Sequence, residues 1–232
     1  MQEYGSGSWR FGHGDMGYLH AALFVRDAAR LPVAPAADIP PRLTGGVPDS
    51  TGVLVPGDQL VAGEQWATWW HRLVGQAVRE GQRSATSPPA DLEDDFEAAI
   101  RHRFAGQQEV FDPPGFESLA DMQPLRSAVT KTWATWRTWP SHQLGSSGEE
   151  PVQFALPIVL EAVESTAAAL GIPASELSGY VDVLEVKGLW SHLAAPGWAL
   201  CSATLASDPQ AAARLLREVF SSGLGRAAGP VR

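Results

Sequence analysis

Apolar positions recur at three- and four-residue spacing through much of the first 140 residues, a pattern that predicts helices. The stretch "DMGYLHAALFVRDAARL" (15–31) is apolar on so many sides that its helix should be buried, with Asp15 as cap. From Asp58 to about Glu80, Trp66, Trp69, Trp70, Leu73, Val74, Ala77 and Val78 fall on one helical stripe, and Gly81 suits the position after a helix end. A further helix is expected over 91–104, with Leu92, Phe96, Ala99, Ile100 and Phe104 inward. Its first turn carries Asp91, Glu93, Asp94 and Asp95, where the helix dipole favours negative charge. Another helix runs from Pro124 to Trp139 with Leu125, Val129, Trp133 and Trp136 inward.

Between the first two helices, residues 32–57 hold Pro32, Pro35, Pro40, Pro41, Pro48 and Pro56, which denies them long regular structure. They read as an extended strap or a disordered loop. Pro140 stops the later helix, and residues 140–150 form the best linker in the chain. Beyond it, a helix is predicted over 157–170, facing inward through Val159, Leu160, Val163, Ala167 and Leu170 and closed by Gly171. Residues 180–193 and 198–206 then flank "APG", a turn signature, and 207–223 supplies a capped helix with Pro209 in its first turn. The predicted class is α+β. Residues 1–139 are mostly helical, 151–223 form a helix, an antiparallel hairpin or small sheet and a covering helix, and 224–232 are a flexible tail.

With 232 residues and 44% hydrophobic composition, the chain can bury an ordinary core. The net charge of -9 and a pI near 5.1 argue against nucleic acid or an anionic membrane surface as partner, since both need clustered Lys and Arg. Only two lysines stand against fifteen arginines, asparagine is absent and isoleucine occurs four times. That bias belongs to a GC-rich bacterial genome, so the choice of Arg over Lys carries no functional meaning. Cys201 is the only cysteine, which excludes an intrachain disulfide, and the N-terminus shows no basic stretch leading into an apolar one. A cytoplasmic protein is expected. Residues 188–207 lack Asp, Glu, Lys and Arg and are long enough to raise a membrane span, but Pro196-Gly197 at their centre favours two strands and a turn.

The tetrapeptide "WATW" occurs at 66–69 and again at 133–136, yet the flanking residues do not align, so no repeat architecture follows. These rings are either a stacking platform for a ligand or partner, with Trp69, Trp70 and Trp139 as candidates, or helix packing. Helical spacing favours packing. Trp139 is the exception, because it lies beside Pro140 at a helix end and is expected to be partly exposed. The glycine-rich 5–14 lacks both a preceding strand and a Gly-Lys-Ser/Thr, so no phosphate cradle is expected. His13, Asp15 and His20 form a weak candidate metal set, without the paired spacing of zinc sites, and no cofactor is implied. His71, His102 and His142 are scattered on presumed helices and loops.

A two-residue Pro196-Gly197 loop would pair residues whose numbers sum to 393, setting His192 opposite Cys201 at about 5 Å between Cβ atoms. That pair suits a thiolate nucleophile, with Asp182 or Glu185 orienting the histidine. The apolar company of Cys201 argues instead for a neutral buried thiol. By elimination, the leading expectation is a non-catalytic intracellular protein that acts through protein–protein contacts. The alternatives are a small-molecule hydrolase or transferase, using His192 with Cys201 or His13 with Asp15, and a ligand-binding module built on exposed tryptophans.

Overall fold

A computed structural model describes residues 2–4, 9–14, 17–86, 106–139 and 154–224. The chain divides into two compact units, one built from residues 16–148 and the other from 1–15 with 149–232. The class is α+β, with helices in the N-terminal part and most of the sheet near the C-terminus.

The first unit contains α1 (Gly17–Ala28), α2 (Pro56–Thr86) and α3 (Gln123–Thr138). Every residue of α1 from Tyr18 to Ala28 is buried, as its all-round apolar sequence predicts. The helix α2 runs past Gly81 to Thr86, longer than its sequence signals indicated. A single glycine inside a helix costs about 1 kcal/mol, which a long packed stripe easily outweighs. At its other end, Gln65 of α2 accepts the Leu125 N–H at 3.0 Å and so satisfies a free donor in the first turn of α3. The helix expected over 91–104, the Asp15 cap and most of the linker lie outside the described residues.

The proline-rich strap is ordered. It has an irregular path, one short 3₁₀ turn at Thr51–Val53, and anchors to a buried ion pair of α1. Arg26 donates to Pro40 O and, at 2.7 Å, to Pro41 O, while Asp27 accepts the Leu43 N–H at 2.7 Å. Arg26 and Asp27 are themselves joined at 2.8 Å, and the guanidinium lies 5.2 Å from the Trp66 ring centre.

The second unit is a mixed sheet with helices on it. Its strands are β1 (Gln2–Tyr4), β2 (Arg10–Gly14), β3 (Ser178–Leu184), β4 (Ser191–Ala195) and β5 (Trp198–Ser202), in the order β1-β2-β3-β5-β4. The three inner strands are parallel to one another, and the two edge strands pair antiparallel. The sequence reading assigned no strand to the N-terminal residues, because β2 finds its partner β3 more than 160 residues later and no local pattern marks such pairing.

Three helices complete the unit: α4 (Leu156–Leu170), the short α5 (Ala203–Ser207) and α6 (Pro209–Ser222). Gly171 ends α4 at φ 66°, the left-handed position that glycine accepts without penalty. Residues 203–206, read as strand, form α5 instead. Ser202 ends β5 and caps α5, accepting the Leu205 N–H at 3.1 Å. Asp208 caps α6 in the same way. The core lies between α4, α6 and the sheet face carrying Phe11, Val181, Val183, Ala199 and Cys201.

Candidate functional site

The hairpin decides the proposed Cys–His pair. Pro196 and Gly197 form its turn, and Ala195 pairs with Trp198 as the 393 rule requires. A bulge then slips the register between Leu193 and Ala195. Beyond it Leu193 faces Ala199, His192 faces Leu200 and Ser191 faces Cys201. One extra residue reverses the faces of everything after it. Cys201 therefore points toward the helices with Val183, whereas His192 lies on the opposite face, stacked with Trp190 at 6.5 Å.

The environment of Cys201 agrees. The thiol is fully buried, and burial pushes its pKa far above the ordinary value, with the negative charge of Asp182 adding to the rise. A thiol so held stays protonated and is no nucleophile at neutral pH. Asp182 is itself wholly buried in the middle strand. Register places it in one row with Leu200 and His192, so two strand spacings, about 10 Å, separate Asp182 from His192. The register thus brings His192 to neither Cys201 nor Asp182.

The candidate tryptophans are core. Trp66, Trp69 and Trp70 are buried, and Trp66 and Trp70 stack at 5.5 Å. Each indole N–H is spent on a backbone carbonyl: Trp66 on Ala22 at 2.7 Å, Trp69 on Val110 at 2.9 Å, Trp70 on Asp38 at 3.1 Å. Trp139, expected to be partly exposed, is only 5% exposed and donates to Gly46 O at 3.2 Å. The rings fill the helical core while their N–H groups fasten irregular segments to it, a use of the polar edge that spacing alone does not reveal.

His20 is buried on α1, His13 lies on β2 in the other unit, and Asp15 falls outside the described residues. Among the described residues no group of three His, Cys, Asp or Glu side chains is arranged to hold a metal. An open groove of about 380 Å³ runs beside α3 and includes Arg126 and Lys131. Both cations are engaged, Arg126 with Glu117 and Gly115 O, and Lys131 with Val53 O at 2.7 Å.

The unexpected feature lies on α4. Periodicity placed Leu160, Ala167 and Leu170 inward, but the buried residues are Val159, Ala162, Val163 and Thr166. The apolar arc of this helix is wider than the face it packs against α6 and the rest of the core. Leu156, Leu160 and Leu170 are left 42%, 39% and 43% exposed. No helix among the described residues is long and apolar enough to cross a membrane. Compared with known protein families, curated proteins and solved structures, the chain shows no match.

Proposed function

We propose that this protein acts inside the cell by contact with another protein rather than by catalysis, and that the contact is made through the outer face of α4. The observation that carries the reading is a pair of exposed leucines at the edge of the buried face of α4: Leu156 and Leu160 lie one helical turn apart. Scattered exposed apolar residues are ordinary, but leucines spaced i and i+4 on one helix are the spacing at which partner helices are gripped. Of the chemistry considered from sequence, the Cys201–His192 pair is not formed, since Cys201 is sealed in the core and His192 is on the other face of the sheet. The acidic balance of -9 supports a protein partner over nucleic acid or anionic lipid. A single cysteine, with no disulfide to maintain, suits a cytoplasmic location.

The test is affinity capture of the tagged chain from its host, wild type beside a Leu156→Ser/Leu160→Ser variant, with companions quantified against an untagged control. The expected result is a near-stoichiometric companion with the wild type that the variant loses. A protein recovered alone in both cases would refute the reading.

A further inference from the structure

We infer that α3 carries a binding site for a small soluble phosphate ester, set in the groove between its outer face and the loop at Pro114 and Gly115. The site lies within the helical unit and does not depend on the α4 contact. Alone among the described helices, α3 holds three cations, Arg126, Lys131 and Arg137, and no acid, in a chain whose net charge is -9. The other described helices mix both signs, carry acid alone or lack charge. At about 100° and 1.5 Å per residue, Arg126, Thr130, Ser127 and Lys131 share an arc of roughly 140° over about 7.5 Å of helix axis. They lie opposite the buried Leu125, Ala128, Val129, Thr132 and Trp136.

The donor set selects the ligand. All four side chains donate hydrogen bonds, two of them are cationic and none is a carboxylate. Among the described residues the Ser127 and Thr130 hydroxyls and Arg126 Nη1 have no partner, and the Lys131 ammonium gives only one N–H, to Val53 O at 2.7 Å. A guanidinium, an ammonium and two hydroxyls on one helix face suit the acceptor oxygens of a phosphate dianion. The groove, about 380 Å³, has room for an organic group beside the phosphate. Arg126 also holds Glu117, but that side chain is 72% exposed, and an exposed pair is weak enough for a bound dianion to replace. Nucleic acid is a poor occupant, because beyond this helix face the chain's excess of acid repels a long polyanion.

Phenyl phosphate titrated into the full chain by isothermal titration calorimetry tests this, at about pH 7.5 where the ester is a dianion, with benzoate as the control for a ring bearing a different anion. Phenyl phosphate is expected to bind at least about tenfold more tightly than benzoate. Arg126→Gln/Lys131→Gln should weaken it at least about tenfold and Ser127→Ala/Thr130→Ala about threefold, while Arg214→Gln on α6 should leave it unchanged. Glu117→Gln, which removes a competitor for Arg126, should tighten binding and so tests the site without deleting any of its donors. Circular dichroism and urea unfolding verify that each variant keeps the fold. No binding of phenyl phosphate, equal affinity for benzoate, indifference to Arg126→Gln/Lys131→Gln, or weaker binding in Glu117→Gln overturns the proposal. So does capture of the chain by phosphatidic acid vesicles that excess phenyl phosphate fails to displace, which would make the ligand a lipid headgroup.

Discussion

Asp27 holds the backbone N–H of Leu43 at 2.7 Å across sixteen residues of chain, and its other oxygen takes the Arg26 Nε–H at 2.8 Å. A carboxylate and a guanidinium, both buried, thereby fix a proline-rich segment that has almost no regular structure of its own. Removing one member leaves the other charged and uncompensated. Asp27→Ala is expected to cost about 3–5 kcal/mol, read from urea unfolding. A loss under about 1 kcal/mol would mean that the strap is held elsewhere.

Close approach fixes the same unit at a second point. A Cβ on Gly63 of α2 would sit 2.5 Å from the carbonyl oxygen of Pro32, where backbone must move to admit it. Gly63→Ala should therefore destabilise by about 1–3 kcal/mol, although alanine is the better helix former by about 1 kcal/mol. Thermal unfolding distinguishes the outcomes: a raised midpoint would show that the contact is slack.

The pH dependence of stability follows from Cys201. Its folded pKa is raised, by burial first and by Asp182 second, above an ordinary value of 9.0. The unfolded chain therefore releases the thiol proton first, so the contribution to stability is complete below about pH 9 and declines above it. Against a Cys201→Ala reference, wild type should lose about 1.4 kcal/mol per pH unit in that range, and the thiol should resist alkylation until the chain unfolds. Parallel stability curves from about pH 8 to pH 10 would contradict the assignment.

Two leucines separate packing from surface. Leu216 on α6 is fully buried, and its replacement by Ala should cost about 2–5 kcal/mol. Leu160→Ala, at a position 39% exposed, should cost about 1 kcal/mol or less. Equal losses in chemical denaturation would place Leu160 in the core and take away the surface on which the functional reading stands.

Much of this architecture is legible from local pattern. The stripe of Trp66, Trp69, Trp70 and Leu73 marks α2, Pro124 and Pro140 bracket α3, and Gly171 and Asp208 mark helix ends where the backbone needs them. What escaped depends on distant partners. The pairing of Arg10 with Ser178 has no local signature, and the bulge that turns His192 away from Cys201 adds one residue that an ideal two-residue loop does not foresee. The clamp of Arg26 and Asp27 is invisible for the same reason: its partners Pro40, Pro41 and Leu43 are brought to it only by the fold. On α4 the difficulty was ambiguity. With an apolar arc wider than one packed face, periodicity locates a helix but does not say whether Val159 or Leu160 is buried.

The most direct measurement is site-specific photocrosslinking in the native host, with benzoylphenylalanine placed at position 160 and, as control, at exposed position 214 on α6. The account predicts one dominant protein adduct from position 160, absent from 214. No adduct from position 160, or the same pattern of adducts from both positions, would contradict it.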